Sequence, residues 1–208
     1  MMVKSISAVL FDLDGVLVDA CEWHYESLNR ALDEEGFRPI RREEHILTYN
    51  GLPTRVKLDM LGIFGERASR VEARKQSHTM LVIAERAVPM QEKLELHAHL
   101  KMLGLKIACV TNSIRMTAEE MLRRTGQIGM LDIIVTNEDV AHNKPSPDPY
   151  LHAMQTLGLP PEKCICVEDS PKGVESALAS GGRLWRVGGT EDVNLGGWTR
   201  YVAREGLD

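Results

Sequence analysis

The chain has 208 residues, 43% of them apolar and 26% charged, with a formal net charge of −5. That length can bury one core of about 100 to 150 residues and a smaller second domain. No basic run or arginine stripe interrupts the acidic balance, which excludes an electrostatic footprint for nucleic acid, and no stretch approaches the ~18 apolar residues of a membrane span.

The first β-type run is SAVLFDL (7–13), ending in the pair Asp12-Leu13-Asp14. From 19 to 86 the pattern is helical, with CEWHYESLNRALDEEG (21–36), PTRVKLDMLG (53–62) and ERASRVEARKQSHTMLVIAER (66–86), and no convincing strand. This interval reads as an inserted helical domain. Pro89 marks the return to the core, so the expected division is 1–18 with 87–208 as core and 19–86 as insert.

Four further β-type runs follow: KIACVTN (106–112), DIIVTN (132–137), KCICVED (163–169) and RLWRVG (183–188). They are continuously apolar rather than alternating, which suits strands covered on both faces and hence a parallel sheet. Helical stretches 91–104, 116–126, 148–158 and 171–181 separate and follow them, each ending on a glycine where a helix C-cap wants one. Strand-helix-strand repetition predicts a Rossmann-like, doubly wound α/β core. The final twenty residues carry no clear pattern.

Of the four cysteines, Cys109, Cys164 and Cys166 lie in apolar runs and read as buried thiols; Cys21 stands apart. None has the spacing of a zinc site. The N-terminus lacks a secretory signal, and the expected location is a reducing cytoplasm.

In an open parallel sheet, ligands sit in the crevice outside the carboxyl ends of the strands. There the chain places Asp12 and Asp14, Thr111-Asn112-Ser113, Lys144 in the loop HNKPSPDP, and Glu168-Asp169. Four carboxylates in one cleft would raise one another's pKa values unless cations offset them. Mg²⁺, a hard ion that takes oxygen ligands and substrate phosphate, is the expected cofactor, with Lys144 supplying further compensation. On a strand, residues two apart share a side, so Asp12 and Asp14 can act together: Asp12 as nucleophile toward a phosphoryl group, Asp14 as general acid and then base. Gly15 lets the chain turn directly afterwards. Each signal alone has an ordinary reading as a turn, a helix cap or a solvated loop. Their arrival in order at one end of one sheet favours chemistry.

FDLDGVLVD, VTNS, Lys144-Pro145 and VEDSPKGVESALASG together resemble the four motifs of the haloacid dehalogenase-like phosphohydrolases. The likeness is to the subgroup with a helical cap that includes β-phosphoglucomutase and phosphoglycolate phosphatase-like enzymes, and it spans 7 to 187. It implies a Rossmann-like core, Mg²⁺ and an aspartyl-phosphate on Asp12. It also implies that Asp14 is acid/base and a backbone-carbonyl metal ligand, that Asp169 binds metal, and that Glu168 assists through metal-bound water. Thr111 and Asn112 would hold the transferring phosphoryl group, and Lys144 would balance charge.

Specificity is expected from the insert, with His24, Arg55 and Lys75 as candidate substrate contacts by the same resemblance, and Ser113 and Arg115 beside the second motif. Ala20 stands where the mutase has a hinge threonine, and Arg115 is one place out of register with a mutase lysine. Hydrolysis of a small phosphorylated metabolite, such as a sugar phosphate, is therefore favoured over a β-phosphoglucomutase-like isomerase. A phospho-accepting signalling module is a more distant alternative, marked by persistent phosphorylation without turnover. His45, His78, His97, His99, His142 and His152 lack metal-ligand spacing and are assigned to packing or solvation. No nucleic-acid or membrane partner is expected; oligomeric state stays open, with a monomer favoured.

Overall fold

The structure is a computed structural model and describes residues 6–207. The chain divides into two compact units, Ala20–Ala87 and the remainder on either side of it.

The larger unit is a five-stranded sheet. Its strands are β1 (Ala8–Phe11), β2 (Lys106–Val110), β3 (Ile133–Val135), β4 (Cys164–Glu168) and β5 (Arg183–Arg186), in the order β3-β2-β1-β4-β5. Every pairing is parallel, as the unbroken apolar runs predict. All four residues of β1 are buried. Because the order reverses at β1, this central strand ends at the switch point where a crevice opens.

Helices α5 (Gln91–Met102), α6 (Arg115–Arg124), α7 (Asp148–Leu157) and α8 (Pro171–Ala179) cross between strands. One core layer joins Leu10, Val110, Val135, Tyr150, Met154 and Cys166. Cys109, Cys164 and Cys166 are all buried.

The C-terminal stretch is where sequence reading falls short, for it forms a helix, α9 (Leu195–Glu205). Two glycines at its start hide it from a propensity argument. Asn194 caps it through the Gly197 N–H at 2.9 Å. A Cβ on Gly197 would fall 1.8 Å from the Asp192 carbonyl, so only glycine fits there. Trp198 and Tyr201 then pack on Trp185 of β5, with ring centroids 5.9 and 5.3 Å away. The lead-in is held by Lys93 of α5, a buried ammonium donating to the carbonyls of Thr190 and Val193 at 2.5 and 2.6 Å.

The smaller unit is helical: α1 (Cys21–Glu34), α2 (Arg42–Glu44) running into a π-helical turn (His45–Tyr49), α3 (Thr54–Met60) and α4 (Gly65–Arg86). Leu28, Leu32, Tyr49, Leu58 and Val71 form its apolar centre. Glu35, just past the end of α1, accepts from Arg70 at 2.9 Å and Arg74 at 2.6 Å of α4, and Arg86 grips Glu26 with both terminal guanidinium nitrogens.

Candidate active site

β1 delivers Asp12 to the carboxyl edge, where its N–H bonds the Val167 carbonyl at 3.0 Å. The chain then turns tightly, with the Leu17 and Val18 N–H groups both returning to Leu13 O at 2.9 Å. Gly15 sits in this turn at φ 89°, and a Cβ there would lie 2.2 Å from Asp169 Oδ2. Two demands, a left-handed backbone and room for a carboxylate, thus fall on one residue.

Lys144 is the centre of the arrangement. Its buried Nζ donates to Asp12 Oδ1 at 2.9 Å, Glu168 Oε1 at 2.6 Å and the Val110 carbonyl at 2.7 Å. What aims it is Asn112, which takes the Lys144 N–H on Oδ1 at 3.0 Å and returns Nδ2–H to the Lys144 carbonyl at 3.2 Å. The end of β2 therefore fixes the loop after β3, and the ammonium points under Asp12.

Burial governs the electrostatics. Desolvation raises Asp12 above the ordinary carboxylate range although Lys144 opposes it, and Asp14 adds to the rise. Glu168, fully buried, is pushed up to about 7 by desolvation against the pull of Lys144. Asp169 rises to about 6 through desolvation and the nearby Asp12 charge. Burial works against the Lys144 charge, yet Asp12 and Glu168 outweigh it and hold the ammonium above its usual range.

Oxygens of Asp12, Glu168 and Asp169 lie within 4.8 Å of one another. Asp169 Oδ1 is buried and accepts no hydrogen bond, a costly state for a carboxylate oxygen unless a cation meets it. An all-oxygen donor set with an unsatisfied member fits a hard divalent ion. Glu168 is the most committed of the three, because its Oε1 also accepts from Tyr150 OH at 2.7 Å.

The remaining candidates fall in different places. Asp14 Oδ2 accepts from Ser113 Oγ at 2.9 Å, and Thr111, buried, accepts the Ser113 N–H at 3.0 Å. Arg115 starts α6 but is drawn to Asp139 at 2.5 Å and Glu119 at 3.3 Å. In the helical unit, Lys75 Nζ lies 3.3 Å from His24 Nδ1, joining two of the predicted residues. Arg55 faces Glu72 at 3.1 Å and Asp59 at 3.8 Å.

Tyr150 is the participant that sequence reasoning missed. It stands on α7, six residues after Lys144, and buries its ring in the core while its hydroxyl reaches Glu168 and, at 3.3 Å, Lys144. The available signal was its place in the first turn of the helix that follows the lysine loop.

A buried carboxylate at the switch point of a parallel sheet, paired with a buried lysine and set beside a carboxylate with an unsatisfied oxygen, is the arrangement of a candidate α/β active site. Residues 9–187 match the haloacid dehalogenase-like hydrolase family, and the chain belongs to that family. It is 31% identical to the phosphorylated carbohydrates phosphatase of Thermotoga maritima, over 85% of this chain and 82% of that one. Hexitol phosphatase A of Escherichia coli is also 31% identical, covering 88% and 84%. Among solved structures, CbbY from Rhodobacter sphaeroides in complex with phosphate aligns with a TM-score of 0.80 at 26% identity, covering 88% and 87%.

Proposed function

We propose that this chain is a Mg²⁺-dependent phosphatase of a small phosphorylated metabolite, of the sugar-phosphate class, working through a phosphoryl group carried on Asp12. The observation that carries this reading is the Asp12 carboxylate held by Lys144 beside the unsatisfied Asp169 oxygen. Phosphatase relatives that act, by name, on phosphorylated carbohydrates and hexitol phosphates support the substrate class.

An Asp12 oxygen attacks phosphorus as the ester P–O bond breaks, and Asp14 gives its proton to the departing oxygen. In the second step Asp14 takes a proton from water, whose oxygen attacks phosphorus and frees the Asp12 carboxylate. Ser113, donating to Asp14, orients that carboxyl between the two roles. Lys144 offsets the negative charge gathered behind Asp12. Asp12 and Asp169 would hold the metal ion, together with the Asp14 carbonyl that the family pattern assigns to it. When bound, Mg²⁺ supplies charge neutralisation of the phosphoryl oxygens. Arg115, engaged by Asp139 and Glu119, favours hydrolysis over a mutase that must grip a second phosphate.

Residues 19–86 would act as the specificity-bearing cap, with His24, Arg55 and Lys75 as its substrate contacts. Purified protein should release phosphate from p-nitrophenyl phosphate with Mg²⁺ and stop with EDTA. Asp12→Asn should lower kcat by roughly a thousandfold or more at an unchanged melting temperature; wild-type turnover in that variant would refute the assignment.

A further inference from the structure

The loop after β3 grips the loop after β2, and the catalytic scheme leaves that grip unused. Three consecutive residues hold segment 113–115: the Asn137 N–H donates to the Ser113 carbonyl at 3.3 Å, the Glu138 carboxylate accepts the Arg115 N–H at 2.6 Å, and Asp139 Oδ2 accepts from Arg115 Nη2 at 2.5 Å. Ile114, the residue before α6, offers no side-chain cap. Glu138 therefore supplies, from another loop, the negative charge that a helix N-terminus favours.

Asp139 is itself fixed. The same Oδ2 accepts the Thr136 N–H at 2.7 Å and the Thr136 hydroxyl at 2.8 Å, while the Asp139 N–H returns to the Thr136 carbonyl at 3.2 Å and closes a turn. Partial burial pushes the Asp139 carboxyl up, but the Thr136 bonds and Arg115 outweigh it and hold it below its ordinary value. A lone exposed ion pair has little holding power; three donors on one oxygen of a closed turn form a network instead. What the network holds is Ser113, whose N–H donates to Thr111 Oγ1 at 3.0 Å and whose Oγ donates to Asp14 Oδ2 at 2.9 Å.

We propose that Glu138 and Asp139 are positioning residues: by fixing segment 113–115 they set the Ser113 hydroxyl on Asp14, and Arg115 is the bolt between the two loops rather than a contact for substrate. This rests on the phosphatase reading above and extends it to two acids that act through Ser113.

The test is a double-mutant cycle on hydrolysis of p-nitrophenyl phosphate with Mg²⁺. Glu138→Ala, Asp139→Ala and Arg115→Ala should each lower kcat roughly three- to tenfold with KM nearly unchanged, within the span of coupled neighbours. In a Ser113→Ala background each should cost less than about twofold, because the hydroxyl they position is already gone. Equal losses on both backgrounds, as a general loosening of the fold would give, overturn the inference, and so does wild-type kcat in Asp139→Ala. A raised KM with kcat kept in Arg115→Ala also overturns it, by making Arg115 a substrate contact. Asp139→Asn keeps an acceptor for Thr136 and removes the charge facing Arg115, and it carries the same readings if Asp139→Ala fails to fold. All of these outcomes leave the phosphatase reading standing; failure of wild-type protein to release phosphate overturns that reading, and this inference with it.

Discussion

Each unit contains a cation set between two carboxylates, and the two sets behave in opposite ways. Lys144 bridges Asp12 and Glu168 with its side chain 4% exposed, whereas Arg74 bridges Glu34 and Glu35 with 49% exposed. In the helical unit, hydrogen bonds from His78 lower Glu34, and bonds from Arg70 and Arg74 lower Glu35. At the crevice, the same kind of partner is outweighed by desolvation, and Asp12 and Glu168 rise. Geometry is similar; what differs is how deeply the cation is buried. An ion pair with an exposed cation fastens helices and holds its acids ionised, while a buried one yields carboxylates whose charge is easily changed by a ligand.

The sharpest way to break this contrast is Lys144→Met beside Arg74→Met. Removing Lys144 leaves Glu168 and Asp12 buried without their counter-charge, a loss of about 3–5 kcal/mol in unfolding free energy, and phosphatase turnover should vanish. Arg74→Met should stay close to the wild-type melting temperature, because Arg74 itself is half exposed and Arg70 still holds Glu35. Similar melts for both variants would show that burial does not separate the two sites.

Next in size is Gly15→Ala. The added methyl meets Asp169 and the backbone is left-handed, so the cost should be about 1–3 kcal/mol; turnover should fall further than stability, since the displaced group is the unsatisfied carboxylate. Denaturant unfolding and phosphate release, measured on one preparation, would show whether the two losses separate.

Tyr150→Phe should be milder, removing one donor from Glu168 while Lys144 remains, at about 1–2 kcal/mol. This residue also shows what the sequence could not convey. Asp12, Asp14, Lys144 and Asp169 were legible because each sits in or next to a strand-end loop, where topology alone brings chain segments together. Tyr150 sits on a helix whose apolar face is filled with core residues, and a tyrosine there reads as packing. The parallel sheet was legible from its unbroken apolar runs, and α9 was not, because it is held by Asn194, Lys93 and the packing of Trp198 and Tyr201 on Trp185 rather than announced by periodicity. His24 and Lys75 could be singled out only by resemblance, and their proximity is a product of helix pairing that no local pattern encodes.

The smallest effect concerns buried histidines, one in each unit, and it tests whether desolvation acts alike where no catalysis is involved. His97 of α5 is fully buried against Phe11, with both ring nitrogens lacking partners, and burial lowers its pKa to about 4, helped by Lys93 and Lys101. His45, in the π-helical turn against Tyr25, is likewise lowered to about 4 by burial, with Lys57 and His24 adding to it. Unfolded, each would titrate near 6.5. Below that pH the unfolded chain binds protons that the folded chain refuses, so stability fully present above pH 6.5 drains away as pH falls toward 4 and then levels off. His97→Leu removes one such site and adds no unsatisfied group, so at pH 5.5 it should melt higher than wild type by on the order of 1 kcal/mol, with a smaller gain at pH 7.5. An equal gain at both pH values would mean that His97 is protonated in the folded core, and that the dry interior inferred around Asp12 does not extend one residue behind it.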